Sequence, residues 1–144
     1  MADTQNFSNH RKFFPIFHFF VAPVLLLNAG NAGRHLWMSP NRSTAFAFVV
    51  ALAIAGAAFA ARLMALKVQD RVIRLEMTQR MRGCLPAELQ SRIGELTPGQ
   101  MVALRFASDR ELADLMRDVL AGKLKGQNAI KKEIKDWQGD FLRA

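Results

Sequence analysis

His18 is the side chain of this sequence best suited to chemistry. It sits in a stretch, residues 13–33, that contains no Lys, Arg, Asp or Glu. An ionisable group within an apolar segment is a candidate functional group by default. Imidazole is a common axial ligand of haem iron, and a chlorophyll magnesium is a further metal it can hold. The position favours a plainer role. His18 lies about five residues, or about 8 Å of helical rise, inside the start of the stretch. There it can hydrogen-bond water, a headgroup or a neighbouring carbonyl. His10 is eight residues away across Pro15, a poor spacing for a metal pair, and His35 falls beyond the far end of the stretch. The preferred reading is a satisfied interfacial histidine. Haem or chlorophyll ligation at His18 is the alternative, and visible absorption of the purified protein tests it.

Other reactive residues offer less. Cys84 is the only cysteine, which excludes an intrachain disulfide. A zinc site usually needs four ligands, and Cys84 has no partner motif. Acids are present, but no motif sets one beside a His, Ser or Cys partner, so no catalysis is expected. Residues 97–120 have the outline of a helix-turn-helix, yet Asp109, Glu111, Asp114 and Asp118 offset Arg110 and Arg117. A nucleic-acid domain concentrates basic charge on its soluble part. Here residues 1–84 hold ten Lys and Arg against three acids, whereas residues 85–144 hold ten against nine. The excess of the +8 chain therefore flanks its apolar stretches, the positive-inside pattern of a membrane protein. Nucleic acid is not an expected partner.

Two charge-free stretches set the elements that position these residues. Residues 13–33 lie between Lys12 and Arg34, and residues 43–61 between Arg42 and Arg62. At about 1.5 Å per residue each spans about 30 Å, the hydrocarbon thickness of a bilayer. Arg11 and Lys12 resemble a signal-peptide n-region, and Gly30-Asn31-Ala32 loosely resembles a cleavage site. The length of the segment, His18 and two prolines favour a retained span instead. Pro23 should kink it. Asn28 and Asn31 share a face and can hydrogen-bond between helices, at about 0.6–2 kcal/mol each. In the second span Ser43 or Thr44 can cap the start. Ala47, Ala51, Ala55 and Ala58 recur on one face, and small residues let helices approach closely in lipid. That face packs either on the first span or on another membrane subunit.

No breaker follows the second span until Gly83 and Pro86, so one helix of about 40 residues should leave the membrane as a stalk. Ile73 and Met77 fall on one side of it with Leu66 and Cys84; Val68, Val72 and Leu75 fall opposite. Asp70–Arg74 and Glu76–Arg80 have the favourable i,i+4 order for ion pairs. Arg62, Lys67 and Arg71 suit lipid headgroups, at about 1 kcal/mol each. Arg80 and Arg82 lie beyond a Debye length of about 8 Å and need protein or water. After Pro86 come four short helices. Thr97-Pro98 reads as N-cap and first residue, and Ser108–Glu111 as a capping box. Leu112, Leu115, Met116, Val119 and Leu120 form one apolar face that Gly122 ends. Ile130, Ile134 and Trp137 mark a last helix, with Phe141 beyond it. The interface residues Leu112, Leu115, Met116 and Val119 should fold back onto Ile73 and Met77.

The expected fold is an all-α membrane protein: a two-helix transmembrane hairpin, a long second helix extending into the cytoplasm and a small helical C-terminal domain. Its parts are an interfacial segment 1–12, a first span 13–33, a periplasmic link 34–42, a second span with extension 43–84, and a helical domain 85–144. Arg11, Lys12, Arg62, Lys67, Arg71 and Arg74 outnumber Arg34 and Arg42 of the link, which puts both termini in the cytoplasm.

Three segments in order, QNFSNHRKFFPIFHFFVAPVLLLN, LKVQDRVIRLEM and LTPGQMVALRFASDREL, resemble a family of small two-span bacterial membrane proteins of unknown function. Members often carry tyrosines near the start, where this chain has phenylalanines. The resemblance implies a bacterial inner-membrane location and no particular activity. By elimination the expected role is a non-catalytic accessory or structural subunit, its partners being membrane lipids and other integral membrane subunits. A self-assembling homo-oligomeric scaffold or small pore is the alternative, and a cofactor-ligating subunit using His18 the third.

Overall fold

The structure, a computed structural model, describes residues 6–7 and 14–140. Among these residues it is all-helical, with two long apolar helices and no strand. The expectations placed on Arg11, Lys12, Phe13 and Phe141, and most of those on segment 1–12, fall outside the described residues. The chain divides into two compact units, Lys12–Leu66 and Lys67–Ala144, the latter including Met1–Arg11.

In the first unit a π-helical turn, Ile16–Val21, leads into helix α1, Ala22–Met38. The amide of Ala22 donates to the Phe17 carbonyl, one residue further back than in an α-helix. Pro23 explains this. It lacks an N–H and its ring crowds the carbonyl four residues back, and a wider preceding turn relieves both. The expected kink is thus met by a change of helix type just before the proline.

Helix α1 outlasts the sequence boundary at Gly33 by five residues, and the link shrinks to Ser39-Pro40-Asn41. Nothing in Arg34–Met38 breaks a helix. The stop is Pro40, which drives the preceding Ser39 out of the helical region to φ −143°, ψ 74°. Helix α2, Arg42–Cys84, is then opened by Asn41 rather than by Ser43 or Thr44. The Asn41 side chain accepts from the Thr44 amide (3.0 Å), and the Asn41 amide donates to the Thr44 hydroxyl (3.1 Å). This reciprocal pair satisfies two otherwise unpartnered donors. Small residues bring the helices of this unit together: Ala29 on α1, Ala51 and Ala55 on α2 are buried. A Cβ on Gly33 would stand 3.2 Å from the Phe48 ring, so only glycine gives that closeness without movement. Phe17 and Phe59 meet edge to face at 5.6 Å.

In the second unit the end of α2 carries Ile73, Met77 and Met81 into a core built with short helices. These are α3 (Ala87–Gln90), a 3₁₀ turn (Ile93–Glu95), α4 (Pro98–Leu104), α5 (Asp109–Leu120) and α6 (Gln127–Glu133). None is long enough to be stable alone, and burial against α2 supplies what propensity cannot. Leu89, Ile93, Leu104, Leu112, Met116 and Ile130 are all buried there. The first of the four short helices expected after Pro86 is divided between α3 and the 3₁₀ turn.

Capping differs from the sequence expectation in one instructive way. Thr97 forms a full capping box with Gln100 (3.3 Å to its amide, 2.7 Å in return) and opens α4. Ser108 stands at the N-cap of α5, yet its side chain caps nothing. Its expected partner Glu111 accepts instead from the amides of Lys135 (3.0 Å) and Asp136 (3.2 Å). Helix α5 ends as expected at Gly122, whose φ of +73° continues the chain in the left-handed region. The amides of Gly122 and Lys123 return to the carbonyls of Val119 and Asp118, the Schellman pattern.

The last helix is shorter than its apolar spacing suggests. It stops at Glu133, and Ile134 and Trp137 lie beyond it. The following segment runs antiparallel to residues 106–108: the Ser108 amide donates to Asp136 (3.1 Å) and the Gln138 amide to Phe106 (2.7 Å). Trp137 stacks on Phe106 at 4.7 Å between ring centroids. Two carboxylate-bound amides and a stacked aromatic pair outweigh the helix propensity of those residues.

Candidate interaction surfaces

Arg80 is the polar centre of the second unit. Its Nε donates to Asp109 Oδ1 (2.7 Å), its Nη1 to the Arg105 carbonyl (3.1 Å) and its Nη2 to the Ala107 carbonyl (2.6 Å). The planar five-donor guanidinium therefore joins the end of α4, which has carbonyls to satisfy, to the first residue of α5. The expected Glu76–Arg80 pair does not form. A surface i,i+4 pair contributes about 0.3–0.5 kcal/mol, whereas hydrogen bonds to a charged group contribute about 1.5–3. The Asp70–Arg74 pair does not close either.

Around this centre Arg105 pairs with Asp140 at 2.9 Å and lies 4.3 Å over the Phe106 ring. A cleft of about 570 Å³ opens beside it, lined by Ile73, Glu76, Met77, Arg80, Arg105, Gly139 and Asp140. Both of its guanidiniums are bonded to groups of the same unit. Cys84 lies close by. Burial is the main cause that pushes its thiol above the ordinary range; the Asp109 carboxylate adds to this and Arg80 opposes it. Such a thiol stays protonated and unreactive at neutral pH.

The residues singled out in the sequence fall as follows. Ile73, Met77, Leu112, Leu115, Met116 and Val119 lie in one core cluster, so α2 and α5 share an apolar contact. Met81, fully buried, belongs to the same stripe as Ile73 and Met77; its four-residue step from Met77 was the available signal. Ala51 and Ala55 are buried, Ala58 is half-buried, and Ala47 is exposed. Ala47 lines an open cleft of about 290 Å³ with Asn28, Asn31, Ala32, His35, Ser43 and Thr44. Asn28 and Asn31 make no hydrogen bond across the helices there. Arg62 is half-buried, and Lys67 and Arg71 are exposed. His18 Nδ1 lies 2.9 Å from the Phe14 carbonyl oxygen and 3.2 Å from its amide nitrogen. Among the described residues no three His, Cys, Asp or Glu side chains gather to hold a metal ion.

Fold and surfaces together define an all-helical protein with two helices long and apolar enough to cross a membrane, Ile16–Met38 and Arg42–Cys84. The chain belongs to the Family of unknown function (DUF6526), whose model matches residues 1–144. No curated protein and no solved structure matches it.

Proposed function

We propose that this protein is a non-catalytic integral membrane protein that acts as an accessory or structural subunit of a larger assembly in the bacterial inner membrane. Its two long helices form the transmembrane hairpin, and both termini lie in the cytoplasm. The carrying observation is the apolar exposure of the first unit. Phe19, Phe20, Leu27 and Phe46 are 72, 66, 74 and 71% exposed. Fully removing such a side chain from water is worth about 1.5–3 kcal/mol, and soluble monomers rarely leave so large an apolar surface uncovered. Lipid covers it in this reading. The second unit, by contrast, buries most of its large apolar groups, Val68, Val72 and Leu75 on α2 excepted, and exposes ion pairs, as an aqueous domain does. Extraction in a gentle detergent followed by native separation tests the role. Unrelated membrane subunits in the band support it, and migration of the chain alone contradicts it.

The alternative, a homo-oligomeric scaffold or small pore, draws on the polar cleft of the first unit. Asn28, Asn31, His35 and Ser43 line it, and polar groups at membrane depth are stabilised by hydrogen bonds to a neighbouring helix. A native band containing this polypeptide alone, at a multiple of its mass, favours it.

A further inference from the structure

Helix α2 carries three stripes where it enters the second unit, and only one of them is covered. Ile73, Met77 and Met81 are buried in the core. On another side Val68, Val72 and Leu75 are 61, 46 and 71% exposed, with Gln79 continuing their line. Beside them run Lys67, Arg71, Arg74 and Arg82, at the four- and three-residue steps that keep one helical edge through Thr78. All four cations are exposed, and none makes an ion pair among the described residues. The cationic edge borders the apolar one along roughly four helical turns.

Most acids of the same unit are engaged elsewhere, and the four that remain, Asp70, Glu76, Glu133 and Asp136, make no ion pair among the described residues and so do not pair with this edge. Asp109 is held by Arg80, Glu88 and Asp114 by Arg117, Glu95 by Arg92, Asp118 by Lys123 and Asp140 by Arg105. Glu111 is occupied by two backbone amides. Among the described residues of this unit a second copy would bring those four free acids together with the four unpaired cations of the edge and Arg110, Lys125 and Lys135, more unpaired cation than free acid. Lipid does not reach far along the edge either. Arg82 lies twenty residues past Arg62, about 30 Å of helical rise, against a Debye length of about 8 Å.

We infer that this double edge is a docking site for an acidic amphipathic helix of another protein. The partner's aliphatic stripe lies on Val68, Val72 and Leu75, and its Asp and Glu side chains meet Lys67, Arg71, Arg74 and Arg82. The mode is the ordinary one for an amphipathic helix laid along an apolar surface, with charge fixing register and partner choice. The inference rests on the accessory-subunit reading and names the chemistry of the partner.

The test places a benzophenone photo-crosslinking amino acid at Gln79 in the full chain, in its native membrane. The expected product is a cross-link to another protein, at a peptide with aliphatic residues three and four apart and acids flanking them. Arg71→Glu with Arg82→Glu should lower its yield about tenfold or more, and Arg71→Lys with Arg82→Lys should preserve it. These side chains are exposed and outside the core, so folding is not at stake. Cross-links only to phospholipid, only to a second copy, unaffected by charge reversal, or absent altogether overturn the inference. Native separation of the same sample keeps the two readings apart. A band with unrelated subunits but no such cross-link sinks only the docking site, whereas the chain running alone sinks the accessory role as well.

Discussion

Ser108 and Thr97 occupy the same position at the starts of neighbouring helices, and their surroundings give them opposite energetic roles. The Thr97 hydroxyl accepts from the Gln100 amide. Its loss in Thr97→Ala should cost about 1 kcal/mol. The Ser108 hydroxyl is buried with no hydrogen-bond partner among the described residues, so Ser108→Ala removes an unsatisfied group and should be neutral or slightly stabilising. Urea unfolding followed through Trp137 fluorescence, in a Trp37→Phe background, distinguishes them. A loss of about 1 kcal/mol in Ser108→Ala would mean that its capping box does form. Cys84 yields a prediction in pH. Its folded thiol holds its proton more tightly than the unfolded one, so the associated stability is present below the unfolded value, about 8.5. It is lost as pH rises through the folded value. Maleimide labelling of the native chain should accelerate at a higher pH than labelling of the denatured chain. Acceleration at the same or a lower pH contradicts the buried environment.

At the scale of elements, Ala51 and Ala55 are the buried small residues of α2 in the first unit, at 3 and 7% exposure. Ala51→Leu with Ala55→Leu adds bulk to a filled contact, which typically costs about 1–3 kcal/mol. The midpoint of SDS-driven unfolding in mixed micelles should fall, while the pair still fractionates with membranes. An unchanged midpoint would mean that the leucines are accommodated in lipid. The sequence was most legible where periodicity and breakers agree. The long α2, the Thr97 cap, the Gly122 stop and the shared stripe of Ile73, Met77 and the α5 face all follow from local signals. It was least legible where a distant group competes for a local one. Glu111 left its helix start for the amides of residues 135 and 136, Arg80 left Glu76 for Asp109, and Trp137 left the helix period for Phe106. No spacing rule contains those competitors. The end of α1 was missed for a simpler reason, because charge at Arg34 marks the edge of an apolar stretch and not the end of a helix.

At the scale of the whole molecule, the central claim is that an apolar hairpin unit is covered by lipid and an ion-paired helical unit lies in the cytoplasm. The proposed orientation rests on charge: Arg62, Lys67, Arg71 and Arg74 follow the second apolar stretch, against Arg34 and Arg42 near the short connection. The most direct measurement is a pair of fusions to a reporter that is active only in the periplasm. Fused after Ala144 it should be silent, and inserted at Pro40 it should be active. Strong activity after Ala144, or silence at Pro40, would contradict the hairpin and with it the membrane role assigned to this chain.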